Sequence, residues 1–183
     1  MPAVIPTGTD RTRLVVLRGN SGSGKTTVAR AVRLRYGRGC ALVEQDYLRR
    51  IVLRERDVDG GIAPALIAQT VRFALDHGYH VVLEGILARA RYGAMLTDLC
   101  RAHSERTSVF YLDIPWEETL RRHAGRPQAA EFGEAEMREW YLPCDLLGCE
   151  GERVVDEELT LEETIELVAA ELDGVPPATR IVG

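Results

Sequence analysis

The chain has 183 residues, 45% of them hydrophobic and 28% charged, a composition that fits one ordinary globular domain with a full core. Its formal net charge of −5 gives no overall basic field to hold a nucleic-acid backbone, which weakens a nucleic-acid partner and leaves only a local basic cluster open. Cys40, Cys100, Cys144 and Cys149 lack the paired spacing and histidine partners of a zinc site and suit free thiols in a reducing compartment.

Residues 1–12 show no basic stretch followed by an apolar run, so no signal peptide is expected there. They are rich in Pro, Thr and Gly and are expected to form a flexible segment ahead of one domain over 13–172, with a tail over 173–183. No apolar stretch approaches the ~20 residues needed to cross a bilayer. Leu14-Val15-Val16-Leu17 reads as a buried strand, Thr26 to Tyr36 as a helix and Ala41-Leu42-Val43 as a second strand. An arginine-rich helical segment is expected between Tyr47 and Asp59, then a helix from Ile62 to His77 and a third strand, His80 to Leu83. A helix through Tyr92, Met95, Leu96 and Leu99 leads to a fourth strand, Ser108 to Leu112, and Pro115 starts the next helix. Gly125 to Gly133 reads as a loop, Met137 and Trp140 as a short helix and Arg153-Val154-Val155 as the last strand. Leu161, Ile165, Val168 and Leu172 mark the final amphipathic helix. Five apolar strands alternating with helices predict an α/β fold, a parallel sheet covered on both faces.

The strongest motif is Gly19-Asn20-Ser21-Gly22-Ser23-Gly24-Lys25-Thr26, a complete G-x-x-x-x-G-K-[ST] between a buried strand and a helix. Such a loop wraps a polyphosphate with backbone N–H groups, and the following helix aims its positive end at the phosphates. Lys25 is the candidate contact to the β- and γ-phosphates, Thr26 the candidate magnesium ligand, and Thr27 follows in the same turn. ATP and Mg²⁺ are therefore the expected cofactors, and the compartment that holds ATP, the cytoplasm, is the expected location.

Three further features bear on transfer. Asp46 follows the second strand directly, where a carboxylate faces the ligand crevice and can take the proton of an acceptor hydroxyl, or can simply cap a helix. Arg49, one turn later, can hold an anionic acceptor or the moving phosphoryl group. Glu84-Gly85 ends the third strand at the same edge, where the carboxylate can touch magnesium, the attacking group or Arg49, or form a structural ion pair. Arg122 and Arg126, four apart after the fourth strand, can close over the developing charge as a lid spanning about 122–133, or form a solvated helix end.

The phosphate loop, Asp46-Tyr47-Leu48-Arg49, Glu84-Gly85, Leu112-Asp113-Ile114-Pro115 and the Arg122/Arg126 pair resemble the zeta-toxin and chloramphenicol-phosphotransferase-like P-loop kinases, a group itself similar to polynucleotide kinase and the adenylylsulfate kinases. The resemblance runs from about Leu14 to Leu172. It implies a three-layer fold with the sheet in 2-3-1-4-5 order, a lid after the fourth strand, Asp46 as catalytic base and adenine bound against residues near the lid and the loop around Val155 to Glu158. It further implies a kinase acting on a hydroxyl of a small-molecule or nucleotide-like acceptor. Toxin members work with an antitoxin, and no residue here points to one. Two other classes stay open: an ATPase or GTPase switch that hydrolyses without an acceptor, and a nucleotide-binding module without chemistry.

Overall fold

Leu14, Val15, Val16 and Leu17 are all fully buried, and their side chains divide between the two sides of one sheet. Val15 and Leu17 join Val28, Val32, Phe110, Ile165 and Val168 in one core cluster. Leu14 and Val16 join Ile67, Val71, Leu75, Leu96 and Leu99 in another. A strand buried on both sides has no polar face to alternate with, which is why its sequence is a continuous apolar run.

The computed structural model describes residues 5–125 and 132–174. Strands β1 (Leu14–Gly19), β2 (Cys40–Glu44), β3 (His80–Gly85), β4 (Thr107–Leu112) and β5 (Arg153–Val155) form a parallel sheet in the order β2-β3-β1-β4-β5. Helices α1 (Lys25–Tyr36) and α6 (Leu161–Asp173) cover one face, and α2 (Ala63–Asp76) and α3 (Arg89–His103) the other. Two shorter helices, α4 (Trp116–Ala124) and α5 (Glu134–Trp140), lie between β4 and β5 in the chain. Thr160 and Glu163 start α6 with a reciprocal capping box. Among the described residues no helix is long and apolar enough to cross a membrane.

Two expectations differ from the structure. The helix expected over Tyr47 to Asp59 shrinks to one π-helical turn, Tyr47–Val52, none of whose residues is buried. Most helical stability comes from packing an apolar face, and this arginine-rich segment packs little, with Leu48 only partly buried against the core. Side-chain bonds organise the chain beyond it. Glu55 accepts from the Ile62 and Ala63 N–H groups at the start of α2, and Asp57 accepts from the Tyr92 hydroxyl at 2.9 Å.

The second difference lies within the segment expected to be flexible, of which residues 5–12 are described. Thr7 and Thr12 are buried. The Thr7 hydroxyl donates to Asp76 at 2.7 Å, the Thr7 N–H to Ala102 O at 3.0 Å, and Thr12 pairs with buried His103 at 3.1 Å. Burial drives the His103 pKa down to about 4, so the ring stays neutral.

Candidate active site

The phosphate loop is shaped by what surrounds it. Gly22 has φ +85°, and a Cβ there would lie 2.6 Å from the Thr119 carbonyl oxygen. A Cβ on Gly19 would lie 2.7 Å from Leu112 O. Both positions therefore require glycine for lack of room as well as for backbone conformation. The loop ends at Gly24, and α1 begins at Lys25, which is buried and donates to Asn20 O at 2.9 Å. The Ser23 hydroxyl is buried and has no hydrogen-bond partner among the described residues.

Thr26, in the first turn of α1, donates to the Glu84 carboxylate at 3.1 Å. Glu84 is buried at the end of β3, and burial pushes its pKa up, against the opposing pull of Lys25 and the Thr26 hydroxyl. These features fit a magnesium nucleotide: a glycine cradle at a helix N-terminus, an unpartnered buried hydroxyl, a lysine, and a hydroxyl beside a carboxylate. Among the described residues there is no cluster of three or more His, Cys, Asp or Glu side chains that could hold a metal.

Ser21, Gly22, Lys25, Thr26, Asp46 and Glu84 line one cleft of about 530 Å³. It opens at the C-terminal edge of β1, β2 and β3, where a parallel sheet presents its ligand crevice. Thr27 lines it as well, while Asn20 turns its side chain away to clamp Leu142, accepting from Leu142 N–H and donating to Leu142 O.

Asp46 precedes the π-helical turn but makes no capping bond with its side chain. Its carboxylate, mostly exposed, accepts from Arg49 at 2.8 Å. Arg49 itself is not on the cleft wall: its guanidinium folds back onto Asp46 and Glu55 O, and the neighbouring Arg50 lines the cleft instead. The wider hydrogen-bonding of the π-helical turn, Leu53 N–H to Leu48 O, sets that direction, which an α-helical reading does not give.

Arg122 reaches the loop from α4, donating to Ser23 O at 3.1 Å while its Nε bonds Glu118 at 2.6 Å. It thus sits on the phosphate loop. Arg126 lies outside the described residues. His123 and Phe132, on either side of that segment, stack at 4.7 Å and both line the cleft.

The family model described as an AAA domain matches residues 14–141, from β1 through the loop, Asp46, Glu84 and α4. The chain belongs to the AAA-domain family. This AAA domain has no match among curated proteins. Its fold is that of several solved structures. The APS kinase CysC of Mycobacterium tuberculosis is 18% identical, with a TM-score of 0.67 over 92% of this chain and 99% of that one. A gluconokinase from Sinorhizobium meliloti is 17% identical, with a TM-score of 0.59 over 91% and 94%. A shikimate kinase from Acinetobacter baumannii is 22% identical, with a TM-score of 0.54 over 88% and 92%.

The chain also carries a support that the motifs do not announce. Arg18, the last residue before the loop glycine, is fully buried and pairs with Asp145 and Glu152, each at 3.0 Å. Its Nε and Nη2 also donate to Leu87 O. The Tyr111 hydroxyl donates to Leu142 O and accepts from Asp145 N–H, so the segment Leu142 to Glu152 is pinned beneath the phosphate loop. The available signal was an arginine at the end of an otherwise apolar strand, since a buried guanidinium demands carboxylates from somewhere.

Proposed function

We propose that this AAA domain is an ATP-dependent kinase that transfers the γ-phosphate to a hydroxyl of a small-molecule or nucleotide-like acceptor, in the manner of the zeta-toxin and chloramphenicol-phosphotransferase-like group. One observation carries the reading: Asp46 lines the same cleft as Lys25, Thr26 and Glu84. A switch that only hydrolyses, or a module that only binds, has no use for an acceptor base there. The kinases named among the solved structures of this fold support it further, one of them solved with AMPPNP and APS together.

In this reading the loop N–H groups and the α1 N-terminus hold the phosphates, and Lys25 exchanges its bond to Asn20 O for the β- and γ-oxygens. The Ser23 hydroxyl is available as a further donor inside the loop. Thr26 and Glu84 would hold magnesium, which would supply neutralising positive charge for the phosphates. Asp46 accepts the acceptor's hydroxyl proton as that oxygen bonds to the γ-phosphorus and the bond from phosphorus to the β–γ bridging oxygen breaks, with ADP leaving, and Arg49 keeps the Asp46 carboxylate in place. Arg122 stabilises charge from the Ser23 side, with Arg126 as the second arginine of a lid over 122–133. The kinase unit would span 13–172 and work in the cytoplasm, and neither nucleic acid nor an antitoxin enters this reading.

ATP turnover measured with and without hydroxyl compounds tests it. A kinase shows slow idle hydrolysis, acceleration by an acceptor and a product heavier by one phosphoryl group. Hydrolysis that no acceptor changes would return the protein to the switch class.

A further inference from the structure

The register of β2 and β3 ends at the pair Glu44 and Glu84, and beyond it a side chain joins the two segments. Gln45 is buried, and its Oε1 accepts from the Leu87 N–H at 2.9 Å. Its amide also hydrogen-bonds the Tyr92 hydroxyl, which donates to Asp57 at 2.9 Å. With Oε1 taken by Leu87, the bond to Tyr92 comes from Nε2, so the amide is fixed in one orientation. A Cβ on Gly85 would lie 2.3 Å from Gln45 Oε1, so the strand end has no room for a side chain there.

Leu87 has φ +46°, a left-handed conformation that leucine rarely adopts. It is fully buried, and both its backbone polar groups are held. Gln45 takes the N–H, and the Arg18 guanidinium donates twice to the carbonyl oxygen, at 3.1 and 3.3 Å. Strain of this kind persists only where the surroundings over-determine the backbone, and it clusters at functional sites. Arg18 immediately precedes Gly19, the first glycine of the phosphate loop, and Gln45 immediately precedes Asp46. Leu87 is thus the fixed point that ties the entry to the loop to the entry to the carboxylate.

We propose that Gln45 is a positioning residue for the transfer reaction, setting Asp46 against the phosphate loop through Leu87. The proposal rests on the kinase reading, in which Asp46 is the base, and adds how that base is placed. Gln45 does not line the cleft, so its effect on the reaction runs through Asp46. Precision matters there, because misplacing a reacting group by about 1 Å can cost roughly a hundredfold in rate. A glutamine that only packed the strand ends together would act without regard to Asp46.

Idle hydrolysis of magnesium-ATP by the full chain, with water standing in for the acceptor hydroxyl, tests this in a double-mutant cycle. Gln45→Met keeps much of the side-chain volume without the amide. It should lower kcat roughly tenfold, the scale of one lost buried hydrogen bond, with little change in KM for ATP. In an Asp46→Asn background the same substitution should lower kcat no further, because the group it positions is gone. An unchanged kcat, equal fold-losses in both backgrounds or a loss confined to KM would overturn the proposal and leave Gln45 as packing. Tyr92→Phe removes only the hydroxyl that orients the Gln45 amide. It should lower kcat severalfold in the wild type and not at all beside Asp46→Asn, and it decides the matter if Gln45→Met fails to fold and bind AMPPNP by calorimetry. An Asp46→Asn variant that hydrolyses ATP at the wild-type rate would instead overturn the base reading, and the proposal with it.

Discussion

The Thr26 hydroxyl donates to the Glu84 carboxylate across 3.1 Å, tying the first turn of α1 to the end of β3. Glu84 is buried, and burial raises its pKa, so the folded protein disfavours the ionised carboxylate relative to the unfolded chain. The stability attached to a raised carboxyl pKa is fully present below the ordinary value and is lost as pH rises through the folded one. Glu84→Gln cannot ionise. Its nucleotide-free melting temperature should therefore gain on the wild type as pH rises from about 4 to 8. Transfer should fall by about tenfold to a hundredfold if Glu84 helps hold magnesium. A melting difference that stays constant across that range would show that the carboxyl is not perturbed.

Lys25 and Asp46 should separate binding from chemistry. Lys25→Ala removes the cation now held on Asn20 O and should cut turnover by roughly a hundredfold or more while weakening triphosphate binding. Asp46→Asn keeps the shape of the side chain and should leave ATP affinity near the wild-type value by calorimetry. Its acceptor-stimulated turnover should drop by on the order of a hundredfold to ten-thousandfold. An active Asn variant would reduce Asp46 to a partner for Arg49.

Much of this architecture is legible in the residues. The apolar runs of β1, β3 and β4 identify a buried parallel sheet, and the glycine–lysine–threonine pattern fixes where phosphates belong, because both signals are local. Arg49 shows where local reading stops. Its spacing from Asp46 is visible, but the direction of its guanidinium depends on a π-helical turn that an arginine-rich segment with no fully buried residue adopts. Arg18 shows the other limit, since its partners Asp145 and Glu152 lie 127 and 134 residues away and no periodicity links them. The stacking of His123 on Phe132 is likewise tertiary, closing across a segment that carries no apolar pattern.

The four thiols should react in an order set by burial and charge. Burial pushes Cys40 up to about 11 and Cys100 up to about 12, and it raises Cys149 as well. Cys144 is exposed and is raised chiefly by the neighbouring Asp113 carboxylate, to which its thiol donates at 3.6 Å. Alkylation needs the thiolate, so Cys144 should be tagged first by iodoacetamide at neutral pH, with Cys40 and Cys100 last. Asp113→Asn removes the negative charge, lowers the Cys144 pKa and should speed its alkylation severalfold. Peptide mass spectrometry over time reads both effects, and early labelling of Cys100 would contradict the order.

Arg18 should be the most costly single position outside the cleft. Its guanidinium spends three separate directions on Glu152, Asp145 and Leu87 O, and it lies over the Tyr111 ring at 5.7 Å. Glu152 is itself nearly buried, and Asp145 is 19% exposed. Arg18→Met leaves these carboxylates without their cation, a loss of about 3–5 kcal/mol for a broken buried pair. Arg18→Lys keeps the charge but not the fork, and one ammonium cannot reproduce all three contacts, so most of the loss should persist. Adding Asp145→Asn and Glu152→Gln to Arg18→Met removes the stranded charges and should recover part of the stability. Urea unfolding midpoints measure all of these, and a lysine variant as stable as the wild type would show that charge alone, not the geometry of the fork, holds the segment beneath the phosphate loop.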